Sequence, residues 1–495
     1  MSWAEIKNLQ SISLKDIPEL SFSELRSQLL DGISSGKRLV QFFGEKINDD
    51  IILYTILADD ERSKLFIALS KSKEGDVYKS LTSSAKTFHL FEREFYEQYG
   101  VKPEGHPWLK PVRKGIAGVS SEETPYEFFK MSGEEVHEVG VGPIHAGIIE
   151  PGHFRFSCHG EVIHNLEIEL GFQHRGIENL FLKNKSNPIY LLKLAESIAG
   201  DTVIGHAGAF ARAMESLAGI NISRRAMIIR TIALEMERIG IHLGDLSALS
   251  GDVAYTTGNA VFGALRTKII NTTLAICGSR FGRGLIAAGG VNFDLSSNLI
   301  NEIIKTLNKI DEDAELAAGV LFSSASVLAR FEKTGIITRD TAREIGLVGP
   351  AARSSGVSID VRSDHPYEGF MLLPVYKLTL NTGDVFARAY IRYIEITQSI
   401  KIIKELINLL GEGEVIVQNK KIFPEQFVIS MSEGWRGEIS HCAVTDNKGQ
   451  LRKYKIKDPS FNNWLAVALA VRKNGISDFP LVNKSYNLSY SGFDL

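Results

Sequence analysis

The chain has 495 residues, 44% apolar and 23% charged, an ordinary globular composition long enough for more than one hydrophobic core. A formal charge of -3 and a pI near 6.5 give no large basic field, which argues against a nucleic-acid partner. No run approaches the roughly 20 apolar residues of a spanning helix, and the Met-Ser-Trp-Ala-Glu start lacks the parts of a signal peptide, so the chain is read as cytoplasmic.

Cys158, Cys277 and Cys442 are widely spaced and form no Cys-x-x-Cys pair. They supply neither a disulfide framework nor a cluster-binding set, and each reads as a buried, inert thiol.

In chain order, Ser21-Phe-Ser-Glu24 has the form of a capping box before a helix. Three strand-like runs follow, RLVQFFGEK, DIILYTILAD and KLFIALSKS, which predict a small α/β domain. Phe88, Phe91, Phe95 and Tyr99 then recur at helical spacing up to Gly100 and Pro103; periodicity makes this a core helix with a solvated Glu/Arg face. The Gly/Ser/Glu-rich residues that follow read as a linker.

A second domain opens with a predicted β-hairpin, HFRFSCHGEVIHNLEIEL, turning at His159-Gly160-Glu161. Two long helices are predicted beyond it, one capped by Asn221 or Ser223 and one starting at Thr382 with Asp384 in its first turn. Their lengths suit an antiparallel bundle. Gly142, Gly147 and Gly152 lack the strand–turn–helix setting of a dinucleotide fingerprint, which argues against nicotinamide binding by this chain.

Separate anchors carry a family resemblance: GPIH (142–145), EPGHFR (150–155), HRGIE (174–178), LEMERIGIHLGDL (234–246), GLVGPAARSSGVSIDVR (346–362), EGWRGEISH (433–441) and DPSFNNW (458–464). In this order they resemble the large subunit of group 4 membrane-bound [NiFe] hydrogenases and the homologous 49-kDa subunit of respiratory complex I. The earlier helix, with Glu92-Arg93-Glu94 and Gly105-His106-Pro107, resembles the complex I 30-kDa subunit. The resemblance implies an α+β chain. A 30-kDa-like docking domain at 1–115 and a linker at 116–138 precede a mainly helical large-subunit-like domain at 139–495, fused as in formate hydrogenlyase and hydrogenase-4 complexes.

Hydrogenases of this family hold nickel with four thiolates, soft ligands suited to it. The corresponding positions here are Ala199, Thr202, Ser460 and Asn463, so the resemblance is to a cysteine-less variant without hydrogenase activity. From complex I it carries over His153, at the quinone headgroup, and Asp252, its carboxylate partner, an imidazole–carboxylate pair suited to proton donation. Glu178 matches a proton-passing glutamate of hydrogenases, and His145, His174, Arg175 and His206 are candidate substrate-site residues. The family's quinone-ligating tyrosine falls on Gly200, and its cluster-proximal arginine and histidine on Ser197 and Gly282.

The blander alternative makes the histidines structural, Arg175 and Glu178 a helix-start ion pair, and Arg353, Asp360 and Arg362 loop-holding groups. So too, Arg436, Glu438 and His441 would be architectural. The resemblance implies no cofactor on this chain, a [4Fe-4S] cluster on a partner small subunit, antiporter-like membrane-arm and ferredoxin-type partners, and a quinone or other small acceptor. Location would be peripheral, on the cytoplasmic side of the membrane. Two roles stay open: acceptor-side subunit, including a sulfane or polysulfide reductase, or non-catalytic scaffold.

Overall fold

The structure, a computed structural model, describes residues 3–113, 126–145, 150–418 and 420–495. Gly147 and the first ten residues of the expected linker lie outside them.

β1 (Ala4–Ile6), β2 (Ile12–Ser13) and β3 (Glu19–Leu20) lead into α1 (Phe22–Ser34). Ser21 accepts the Glu24 N–H and the Glu24 carboxylate accepts the Ser21 N–H, the reciprocal cap predicted for this helix. The three predicted strands form an antiparallel meander, β4 (Arg38–Ile47), β5 (Asp50–Asp59) and β6 (Lys64–Lys73), with β1 and β3 both pairing with β6. The short parallel pair β7 (Val77–Lys79) and β8 (Lys102–Glu104) flanks α2 (His89–Tyr99), which Gly100 ends at φ +70°.

The face expected to be solvated on α2 is buried. Glu92 accepts hydrogen bonds from the Leu81 and Thr82 amides and the Ser80 and Thr82 hydroxyls, and Arg93 donates to the carbonyls of Lys110 and Pro111. Glu94 pairs with Arg113 and Lys455. Partners distant in sequence overrode the period, since a buried charge is tolerated where it is paired and hydrogen-bonded.

β9 (Val136–Val141) pairs with the predicted hairpin, β10 (His153–His159) and β11 (Val162–Glu169), so the last residues of the expected linker are a strand. Next come α3 (Ile177–Lys183), α4 (Pro188–Glu196), α5 (Val203–Ala218), α6 (Arg224–Asp252) and α7 (Thr256–Cys277). The short pair β12 (Ile286–Ala287) and β13 (Gly290–Val291) precedes α8 (Ser297–Leu321). Short helices α9 (Ala325–Phe331), α10 (Arg339–Glu344), α11 (Gly349–Arg353) and α12 (Val361–Asp364) lead to α13 (Val385–Asn408). Helices α6, α7, α8 and α13 pack as a bundle. Ser223 caps α6, and Asp384 is the cap of α13 rather than a first-turn residue, its side chain accepting the Ala387 N–H at 2.9 Å. By length and composition alone α7 could cross a membrane, but it packs between α6 and α8.

The strands β14 (Gln426–Gly434), β15 (Gly437–Thr445) and β16 (Leu451–Lys457) were not anticipated from the sequence. With β2 they form a four-stranded sheet, followed by α14 (Pro459–Ala470), α15 (Phe479–Tyr486) and α16 (Tyr490–Asp494). This sheet joins the two domains: Gln41 donates to the Ser440 hydroxyl at 2.9 Å, Arg452 pairs with Glu45 at 2.7 Å, and Arg38 pairs with Glu438 at 2.6 Å. Gly349, at φ +66°, lets α11 meet the β14–β15 turn, where a Cβ would stand 2.2 Å from the Arg436 carbonyl oxygen.

Candidate functional site

Around the starts of α5 and α14 lie the four positions that the resemblance sets against the thiolates of hydrogenases. Ala199, Thr202, Ser460 and Asn463 are all buried. Their donors do not fit a nickel–iron centre. Alanine has none; Ser460 Oγ accepts the Ser489 N–H at 2.9 Å; and Asn463 clasps Val348, accepting its N–H and donating to its carbonyl, each at 3.1 Å. The Thr202 hydroxyl donates to Asp201 at 3.2 Å and accepts from Arg436 at 3.1 Å.

Four buried side chains lead to this region. The Tyr454 hydroxyl lies 2.8 Å from His441 Nδ1, His441 Nε2 lies 3.0 Å from His206 Nδ1, and His206 Nε2 lies 3.0 Å from Asp458 Oδ2. A carboxylate can only accept, so a consistent assignment has every donor pointing one way: Tyr454 to His441, His441 to His206, His206 to Asp458. Burial, then the neighbouring His206 and Arg212, hold the His441 imidazole well below the usual histidine range. Burial acts to raise Asp458, but the His206 hydrogen bond and Arg436 bring its carboxyl below the usual range.

At the edge of the same region Arg436 grips Asp201 through two bonds of 2.7 Å, and the Trp435 indole N–H donates to the Asp201 carbonyl at 2.9 Å. The Asp201 side chain is 36% exposed, so this ion pair faces outward. From α6, the half-buried Glu237 accepts the Ile204 and Gly205 N–H groups, at 2.7 and 3.2 Å. Burial, with Asp201 nearby, still pushes its carboxyl up to about 8.

The HRGIE loop supports these positions from outside. Arg175 donates to the carbonyls of Ser197 and Ile198, at 2.8 and 3.0 Å, immediately before Ala199. His174 donates through Nδ1 to the Asp494 carbonyl at 2.7 Å. Glu178 accepts the Ile456 N–H at 3.0 Å and pairs with Lys455 at 3.2 Å, which reaches Glu94 at 2.7 Å. A polar cavity of about 170 Å³ lies beside it, lined in part by Tyr99, Arg113, His174, Glu178 and Lys453.

His145 Nε2 donates to the Gly152 carbonyl and His153 Nδ1 to the Gly142 carbonyl, each at 2.9 Å, which leaves His153 Nε2 buried and unpartnered. The expected His153–Asp252 pair is not formed. Asp252, at the end of α6, is held by Lys484 at 3.1 Å, a charged partner that the resemblance did not include. His206 bonds to Asp458, the cap of the helix that carries Ser460 and Asn463. Glu237 and Asp201 were not singled out from the sequence; the available signal was a carboxylate inside the apolar stretch of α6 in LEMERIGIHLGDL.

Two family models match the chain, in the order 30 kDa type and then 49 kDa type. The respiratory-chain NADH dehydrogenase 30 kDa subunit model matches residues 24–114, and the 49 kDa subunit model matches residues 252–432. The fold and site therefore define a fused subunit of the complex I and hydrogenase class. Formate hydrogenlyase subunit 5 of Escherichia coli (strain K12) is 27% identical, the alignment covering 91% of this chain and 83% of the relative. An NADH-quinone oxidoreductase subunit of Chloroherpeton thalassium is 30% identical, covering 70% and 85% respectively. The chain belongs to the respiratory-chain NADH dehydrogenase 49 kDa subunit family, and carries a 30 kDa-type domain in front. A chain from the structure of the membrane-bound sulfane sulfur reductase, an archaeal respiratory membrane complex, shares the fold; the TM-score is 0.68 at 24% identity, over 73% of this chain and 99% of that one.

Proposed function

We propose that this chain is the acceptor-side subunit of a membrane-bound, energy-converting oxidoreductase complex. Electrons arrive from a [4Fe-4S] cluster on a partner small subunit and reduce a quinone or another small acceptor beside the vacated metal positions. A quinone takes up two electrons and two protons, and His153, Asp252 and Glu178 are the groups assigned to proton handling. His145, His174, Arg175 and His206 shape the site. Coupling to ion movement runs through antiporter-like membrane-arm partners, which keep the chain peripheral to the membrane. A ferredoxin-type partner feeds the cluster.

The observation that supports this reading is the Asp201–Arg436–Thr202 group. An ion pair, not apolar packing, stands at the open edge of the old metal region. A sulfane or polysulfide acceptor fits the same group. One observation favours a scaffold instead: Ser460 and Asn463 are engaged by backbone groups.

The test is acceptor reduction by the purified intact complex, comparing quinone analogues, polysulfide and protons. We expect quinone or polysulfide turnover, lowered about 10²–10⁴-fold by His153→Ala or Asp252→Asn without loss of assembly. No turnover with any acceptor, in a complex that assembles normally, would establish the scaffold.

A further inference from the structure

Behind the Trp435 indole, away from the vacated positions, the core holds a second group of charges. Arg238 and Glu235 come from α6, Arg353 from α11, Asp360 and Arg362 from the start of α12, Glu395 from α13 and Glu433 from β14, and none of these side chains is more than 1% exposed. His242 of α6 joins them, 3.0 Å from Glu395 and edge-on to Trp435. With Glu395 accepting from Nε2, the His242 Nδ1 is buried without a hydrogen bond, Asp245 Oδ2 standing 4.0 Å away, and burial lowers the pKa of the ring, so this imidazole is neutral. Four carboxylates therefore face three guanidiniums.

The charged groups packed around the cluster do not supply the missing positive charge. Arg392 is matched by Asp245, Lys377 by Asp364 and Arg212 by Glu368. An uncompensated buried charge is expensive, and a carboxylate in that position takes up a proton instead. Glu433 is the group to do so. Glu395 is held by Arg353 and Arg238 as well as His242; Asp360 takes two bonds from the Arg362 side chain; and Glu235 takes Arg362, Arg238 and the Ser399 hydroxyl. Glu433 has one guanidinium nitrogen, from Arg353 at 2.7 Å, and one amide, from Val361 at 3.1 Å.

We propose that Glu433 is a proton-binding site in the core, holding one exchangeable proton that neutralises the cluster and that responds to charge changes at the neighbouring Asp201–Arg436 pair. Trp435 links the two, since its indole N–H reaches the Asp201 carbonyl while Arg238 donates to the Glu433 and Gly434 carbonyls on the same strand. Burial and the nearby Asp360 carboxylate push the Glu433 carboxyl up to about 7, so the proton is exchangeable under ordinary conditions. The site goes beyond the acceptor reading and does not depend on it, because its test observes the resting protein.

The test is infrared difference spectroscopy of the full-length chain in its purified complex, titrated across neutral pH in light and heavy water. A protonated-carboxyl band should disappear with a midpoint of about 7, and Glu433→Gln should abolish it. Glu395→Gln leaves three carboxylates facing three guanidiniums, so the midpoint should fall by about one pH unit or more. A purely structural carboxylate would show no such shift. No neutral-pH carboxyl band in the unmodified chain, persistence of the band in Glu433→Gln, or an unmoved midpoint in Glu395→Gln would each overturn the proposal. Should Glu433→Gln fail to fold, the Glu395→Gln midpoint decides.

Discussion

Two groups of buried charges in this molecule follow different rules. Where the domains meet, Arg38 and Lys457 face Asp60 and Glu438: Arg38 takes both carboxylates, Lys457 adds to Glu438 at 2.9 Å, and His365 adds to Asp60 at 3.0 Å. Counting the guanidinium, ammonium and carboxylate groups alone, positive and negative charges match in number. Behind Trp435 they do not, and one carboxylate is left to find a proton. The contrast teaches that burial alone does not make a carboxyl titrate near neutral pH. Arg38 and His365 hold the Asp60 carboxyl far below the usual range despite burial, whereas Glu433 has too few cations around it.

The matched group should be the more brittle. Glu438→Gln removes the carboxylate between Arg38 and Lys457, leaving two buried cations with only Asp60 to offset them. Breaking a buried pair in this way costs about 3–5 kcal/mol. Thermal unfolding should show the loss, together with faster proteolytic release of the N-terminal domain. If Glu438→Gln proved no more destabilising than Glu433→Gln, matched and unmatched groups would not differ in brittleness.

How much of this was legible in the sequence follows from how local each signal is. The Ser21 cap, the meander and the hairpin rest on residues within a few positions of one another, and they formed where expected. The sheet of β14 to β16 was missed because its strands place Ser430, Ser432, Glu433, Glu438, His441, Lys455 and Lys457 inside, which erases the alternation that marks a strand. The buried face of α2 failed for the same reason: Glu94 finds Lys455 some 361 residues away. At the site, the resemblance paired Asp252 with His153, whereas its partner is Lys484, to which no local pattern points.

Glu237 sharpens the comparison at intermediate size. It too is raised, to about 8, but from a half-buried position near the surface ion pair. A carboxyl whose folded pKa exceeds its unfolded value binds more protons when folded. Its contribution to stability is therefore complete below about pH 4.5 and is lost as pH rises through about 8. Between pH 6 and 9 the unmodified chain should lose on the order of 1 kcal/mol relative to Glu237→Gln, after discounting for solvent screening. Paired unfolding curves at the two pH values measure it. Equal slopes for chain and variant would show that Glu237 is ionised throughout, held by the α5 amides alone.

The smallest effect belongs at the surface. Lys46 and Glu74 form an ion pair of 2.8 Å at the rim of the N-terminal sheet, with side chains 51% and 60% exposed. Water and salt already solvate both groups, and holding two flexible side chains together offsets most of their attraction. Lys46→Met should leave the unfolding midpoint unchanged at physiological ionic strength. A clear loss there would mean that charge number, not burial, governs all these groups. The distinction between the clamp at Glu438 and the proton site at Glu433 would then have to be sought in the net field of the domain rather than in its immediate partners.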